Sequence, residues 1–480
     1  MTAPSKDSLT RGTALGLLSE AMILPTGIVS AAILTRTLGL DLYGLIGVTM
    51  AAVSPIAWFL TSIFGMRSSV KIVADASDPL AAASALLRMN LFIGALGGAT
   101  FFLSAPLIAT WLGQPSIVTA LRIGALEILL MPLARAHRDA LLGTMRYGSA
   151  GLAGGVFHVA RLAVVIVLLV AGVGIETVVW AHVIGRLAEI WWCRRSLAIP
   201  LGLHFRLASK AIARLVAPSF LNAMCLRIID ALDILVLSAL GAASTVLGHY
   251  SAALMLAQLP RMLNVVVAPG LIVALSKATA ARDIGLLTAI REDASRLIAS
   301  VAALLLVAAG AAPTILLILF GVDFVGGATI LSLLLIGGIG IVVFSICSSE
   351  YVAVNKAWIP VTVSFPALCV HVALLYLLVP RFGALGAATS TAVTFTAAGI
   401  TLLVLSRQQI GIRIRHLAVG LVAGALGGGI AALLAAQGVI IVDGITGALI
   451  AAGVLFAGGV LDRGIVTRFL GGFGAIGENK

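Results

Sequence analysis

Charge is scarce in this 480-residue chain: Asp, Glu, Lys and Arg make up 10% of it, against roughly 25% in soluble globular proteins. That excludes a water-soluble enzyme, because so few charges cannot solvate the surface of one large globule or of soluble domains of about 150 residues each. Cysteine is equally sparse. Cys193, Cys225, Cys347 and Cys369 stand far apart, in or beside apolar runs, so neither a disulfide framework nor a thiolate metal site is expected. No Lys follows a Gly, which removes the phosphate-cradling loop and with it ATP hydrolysis by this chain, and no HExxH is present. GFGAIG at 472–477 fits a dinucleotide fingerprint by letter, but it follows no strand pattern and ends three residues before Lys480, leaving no helix to hold a nucleotide. No cofactor is expected.

What is present is apolar. Hydrophobic residues make up 61% of the sequence, and the mean hydropathy of +1.15 requires side chains that face lipid. The formal net charge of +12 therefore reads as basic cytoplasmic loops and not as a nucleic-acid surface. Apolar runs of spanning length fall near 12–35, 44–64, 90–111, 117–134, 150–172 and 175–193. After a basic stretch they resume near 214–240, 245–275, 297–320, 327–349, 359–380 and 383–405, with two Gly/Ala-rich runs near 416–436 and 440–461. The expected fold is an all-α integral membrane protein of about 14 transmembrane helices. Residues 1–193 form an N-terminal six-helix lobe, 194–213 a cytoplasmic linker, 214–405 a second six-helix lobe, and 406–480 two extra helices and a tail.

Positive charge orients the chain. With the N-terminus inside, 24 of the 31 Lys and Arg fall in cytoplasmic segments and three, Arg36, Arg122 and Arg381, outside; the other four lie within spans. Both termini are thus expected in the cytoplasm of a bacterial cell. The first run is too long for a signal-peptide core and carries Glu20, so it is expected to be retained. Three short echoes suggest duplication: Leu38-Gly39 with Tyr43 against Leu240-Gly241 with Tyr250, Ala105-Pro106 with Gly113 against Ala312-Pro313 with Gly321, and LLVxxxG at 168–174 against 377–383. They keep one order between two six-span halves, and transporters built this way place substrate between the halves.

RTLGLDLYG at 36–44, followed by GVTMAAV, resembles the R-x-L-G-x-x-x-Y-G signature of bacterial polysaccharide flippases of the Wzx type, in the multidrug/oligosaccharidyl-lipid/polysaccharide exporter superfamily. Arg227 and Asp230 ahead of LSALGAASTVLGHYSAALMLAQLP (237–260), and LFGVDFVGGATILSLL (319–334), are similar to later segments of the same family. The resemblance implies a flippase, not an enzyme, carrying an undecaprenyl-diphosphate-linked glycan of the O-antigen or exopolysaccharide kind across the inner membrane. It also implies membrane lipids and polysaccharide polymerase machinery as partners.

Charges inside a bilayer cost about 2.5–3.5 kcal/mol each, so they face cavities or partners. Arg161 and Arg261 lie near mid-span with no acid three or four residues away, whereas Arg227 precedes Asp230 and Arg186 precedes Glu189 by three. Each arginine reads either as a diphosphate ligand in a hydrated cavity or as half of a structural pair; Arg186, near the interface, leans to the pair. Glu20, Glu127, Asp230 and Asp233 are the acids deep enough for ion coupling, or for service as counter-ions. His158 and His182 share helix faces with Arg161 and Arg186. Guanidinium suits phosphate through paired donors and a permanent charge. A cation-coupled drug exporter of the same superfamily would need an acidic pocket instead. A membrane polymerase or ligase would carry a large outside loop, and a major-facilitator transporter a G-x-x-x-D-R pattern that GMRSSVKIVADASDP (65–79) lacks.

Overall fold

The computed structural model describes residues 15–16, 18–19, 22–63, 66–199, 210–406, 414–438 and 441–461, without the side chains at 24, 66–68, 210–216, 262–266 and 269. Among the described residues the regular structure is helical, with no strand. Lipid offers no hydrogen bonds, so a spanning segment must satisfy its backbone internally, which a helix does. The elements are α1 (Ile23–Ser62), α2 (Met66–Ala74), α3 (Pro79–Trp111), α4 (Val118–Gly143), α5 (Tyr147–Val170), α6 (Glu176–Ser196), α7 (Lys210–Ala239), α8 (Ser244–Ala257), α9 (Leu259–Ala280), α10 (Ile284–Gly310), α11 (Ala312–Phe320), α12 (Ala328–Ala353), α13 (Trp358–Ser406), α14 (Ile414–Ala436) and α15 (Val442–Ala457). Eight of the described helical segments are long and apolar enough to cross a membrane on their own, and the chain is a multi-pass integral membrane protein.

Two elements are longer than any bilayer requires. Unbroken, the 49 residues of α13 would reach about 74 Å at 1.5 Å per residue, against about 30 Å of hydrocarbon. Gly383, at φ 54° and ψ −131°, breaks the helix. Across the break His371 Nδ1 lies 3.3 Å from Thr394 Oγ1, and a Cβ on Gly386 would sit 2.4 Å from the Leu378 carbonyl oxygen. Residues so far apart in sequence meet only if the halves fold back on each other, as the separate runs 359–380 and 383–405 require. Gly39, at φ 76° and ψ −176°, likewise divides α1.

Two expected spans are subdivided. The run 245–275 is broken at Gln258 between α8 and α9, and 297–320 lies on α10 and α11, which meet at Ala311. Pro260 and Pro313 occupy the first turns after these breaks, because proline has no N–H to continue the preceding ladder. The α3 helix starts earlier than its apolar run, where Asp78 caps it by accepting bonds from Leu80 N at 3.0 Å and Ala81 N at 3.1 Å. Asp283 does the same for α10 through Leu286 N, at 2.9 Å.

Left-handed residues recur in order along the two halves. Gly39, Gly113, Met145 and Gly172 are answered by Gly241, Gly321, Asn355 and Gly383, at offsets close to those of the sequence echoes.

By contacts the chain divides into two compact units. Unit 1 comprises 1–252 and 374–387; unit 2 comprises 253–373 and 388–480. In unit 1, Val73 of α2, Leu86 and Leu87 of α3, Ala136 and Ala140 of α4, Ala153 of α5 and Cys193 of α6 form a buried apolar cluster. In unit 2, Ala299, Ala303 and Val307 of α10 pack against Ala423 of α14 and Ala451 and Leu455 of α15. Backbones there touch: Cβ atoms on Gly420 and Gly428 would lie 2.4 Å from Ala299 O and 2.3 Å from Leu306 O. The small residues of the last two helices thus serve close helix packing.

Candidate functional site

A buried charge cluster of unit 1 lies where α4, α5 and α6 meet. Arg186, on α6, donates from Nε to Glu127 Oε1 of α4 at 3.1 Å and from Nη1 to Glu189 Oε2 at 2.8 Å. The local pair with Glu189 follows from i,i+3 spacing on one helix. The bond to Glu127 crosses between helices 59 residues apart, which sequence spacing does not reveal.

Phe157 of α5 organises the cations. Its ring centroid lies 3.9 Å from the guanidinium carbon of Arg186 and 5.8 Å from that of Arg161, both within cation–π range. A Cβ on Gly185 would be 3.0 Å from the same ring. The absence of a side chain beside Arg186 therefore lets α6 approach α5 closely. His158 and His182 meet the ring edge-on, with centroids at 4.9 and 6.0 Å. His182 Nδ1 lies 2.9 Å from Val178 O; a carbonyl only accepts, so this nitrogen carries the proton.

Arg161 makes no ion pair among the described residues, and its Nε has no hydrogen-bond partner among them; the same holds for Glu127 Oε2. Glu127 still acts on Arg161 electrostatically from beyond bonding distance. In this cluster two arginines are matched in number by two acids: Arg161 and Arg186 against Glu127 and Glu189.

The other sequence-selected residues stand elsewhere. Arg227 of α7 sits over the Trp58 ring at 4.7 Å. Asp230 is buried, and Asp233, fully buried, accepts a 2.6 Å bond from Tyr250 OH of α8. Arg261, in unit 2, lies 5.1 Å from the Phe395 ring and 3.5 Å from the Ala257 carbonyl oxygen. Glu20 is outside the described residues. Phe157 stands out in the sequence only as a helix neighbour of Arg161, and its role depends on Gly185 of another helix. Among the described residues no group of His, Cys, Asp and Glu is arranged to hold a metal ion.

The fold has solved counterparts. A structure titled lipid II flippase MurJ, inward closed conformation, is 16% identical with a TM-score of 0.73, the match covering 93% of this chain and 98% of that one. An inward-facing multidrug resistance MATE family transporter of the MOP superfamily is 13% identical with a TM-score of 0.59, over 83% and 94% of the two chains. A MATE structure in the bent conformation is 14% identical with a TM-score of 0.56, over 85% and 98%. No curated protein matches significantly. Residues 33–326, more than half of the sequence, match a family model described as polysaccharide biosynthesis protein, and the chain belongs to that family.

Proposed function

We propose that the chain is a flippase of the bacterial inner membrane. It moves an undecaprenyl-diphosphate-linked oligosaccharide, the repeat unit of an O-antigen or exopolysaccharide, from the cytoplasmic to the periplasmic leaflet. The observation that carries this reading is the pair of guanidiniums, Arg161 and Arg186, gathered around Phe157 inside a membrane-spanning bundle. Such planar donors suit phosphate oxygens, and their charge persists at any working pH. Family membership agrees, as does the likeness to a structure titled as a flippase of lipid II.

In this reading residues 1–193 and 214–405 are two six-helix lobes that alternate access about the substrate, joined by the cytoplasmic linker 194–213, with both termini cytoplasmic. Arg261 and Arg227 add cations for the diphosphate and glycan. An ion gradient drives the cycle, with Glu20, Glu127, Asp230 and Asp233 as candidate coupling acids, and the product passes to polysaccharide polymerase machinery. Nothing in it requires catalysis by this chain.

Deleting the gene and analysing lipid-linked sugars tests the proposal. Intermediate accumulating on the cytoplasmic leaflet is the expected result; normal periplasmic delivery would overturn it. The second reading, a multidrug exporter, draws on the likeness to MATE transporters. It predicts drug sensitivity on deletion with lipid-linked sugars unchanged.

A further inference from the structure

An anion at Arg186 would meet competition. The guanidinium already holds Glu127 and Glu189, and with Arg161 the cluster has two positive and two negative side chains. Adding a diphosphate to this set would leave uncompensated negative charge in a poorly solvated place, which is costly. We propose that anion binding at Arg161 and Arg186 is linked to protonation of Glu127: the anion replaces the carboxylate on Arg186, and the displaced carboxylate takes one proton from the aqueous phase. This deepens the diphosphate reading above and rests on it.

Geometry selects Glu127 as the acid that yields. Glu189 is on the same helix as Arg186, three residues away, and its bond is the shorter, at 2.8 Å against 3.1 Å. Glu127 reaches Arg186 from another helix through Oε1 alone, while its buried Oε2 has no hydrogen-bond partner among the described residues. A carboxyl with one unsatisfied buried oxygen loses less on leaving its cation than one held tightly on its own helix.

Among the described residues, three charged side chains act on Glu127, and two imidazoles stand beside them around Phe157. The charged groups acting on Glu127 are Arg186 and Glu189 from α6 and Arg161 from α5, with His158 and His182 edge-on to Phe157. Where α3 and α1 pack beside it, they present Gly94, Gly97 and Gly98 to Leu129, Ile128 and Ala125, and Val53 to Gly124. The ends of α2 and α3 that carry Lys71 and Arg88 pack instead against α4 around Ala136 and Ala140. Releasing Glu127 also removes the ion pair between Glu127 of α4 and Arg186 of α6.

The test is calorimetric titration of the purified full chain with inorganic pyrophosphate, in buffers of different ionisation heat, for wild type and Glu127→Gln. Wild type is expected to take up one more proton per pyrophosphate bound than the variant, because the comparison subtracts the ionisation of the anion itself. Its affinity should also fall about tenfold more per pH unit on the alkaline side, as linkage of one proton requires, while the variant binds more tightly there. Equal proton uptake and parallel pH profiles would overturn the linkage and leave the diphosphate site standing. Absence of pyrophosphate binding in both proteins would overturn both. If Glu127→Gln is not recovered folded, sulfate, which does not titrate over this range, is used with wild type; pH-independent sulfate binding would refute the linkage.

Discussion

The charge cluster of α4, α5 and α6 and the small-residue seam of α10, α14 and α15 hold helices together by opposite means. In the first, the helices meet through the ends of long side chains, with Arg186 reaching Glu127 at 3.1 Å and Glu189 at 2.8 Å. In the second, backbone meets backbone, and Gly420 and Gly428 leave no space for even one added carbon. Long side chains can exchange partners while the helices stay in place; a seam without side chains has no such slack. A device that must bind and release an anion belongs in the first region, and a rigid brace in the second.

The largest expected effect comes from breaking the charged region. Arg186→Ala leaves Glu127 and Glu189 buried without their cation, and stranding buried charge costs about 3–5 kcal/mol. Thermal unfolding in detergent should move down sharply. Adding Glu127→Gln and Glu189→Gln to Arg186→Ala should recover most of the loss, and failure of that rescue would mean that the cation stabilises something other than these acids.

The seam should respond to volume and not to charge. At Gly420 an added methyl meets the Ala299 carbonyl oxygen at 2.4 Å, and overpacking of this kind costs about 1–3 kcal/mol. At Gly429, on the same helix, an added methyl would meet nothing within 4 Å. Gly429→Ala should therefore be neutral or slightly stabilising, and equal melting of the two alanine variants would refute the brace. A smaller loss, at the low end of about 1–3 kcal/mol, is expected for Thr314→Val. It removes the hydroxyl that donates to the fully buried Asp443 carboxylate and ties α11 to α15. Thr314→Ser should restore the melting temperature.

Much of this architecture is legible in the sequence, because lipid imposes one rule on every span and long apolar runs report it. Each expected run overlaps a helix. The breaks at Gln258 and Ala311 have a local signal in Pro260 and Pro313, but the unbroken apolar pattern around them conceals it. The helical start at Asp78-Pro79 is legible from capping chemistry, although it lies outside the apolar run. The candidate site is legible only where it is local. Arg186 with Glu189 is a spacing on one helix, whereas Arg186 with Glu127, and Phe157 beside Gly185, depend on which helices become neighbours. That follows from the packing of whole surfaces, which no single-helix pattern contains.

Arg161→Ala should have the smallest effect on stability and separates binding from structure most cleanly. Unlike Arg186, Arg161 forms no ion pair among the described residues, and its guanidinium lies 5.8 Å from the centre of the Phe157 ring. Its removal strands no directly bonded acid and forfeits only a cation–π contact near the outer limit of its range, so protein abundance and melting should stay near wild type. Export should nevertheless fall at least about tenfold, since a lost charged hydrogen bond to a phosphate is worth about 1.5–3 kcal/mol. Arg161→Lys should restore part of it, because the ammonium keeps the charge and loses the paired planar donors. Delivery of lipid-linked sugar to the periplasmic leaflet, normalised to protein in the membrane, is the measurement. A purely structural arginine would show the opposite pattern, with abundance reduced and export per molecule unchanged. The contrast with Arg186→Ala, in which stability falls first, then tells whether the two cations around one aromatic ring divide the work between holding the helices and holding the anion.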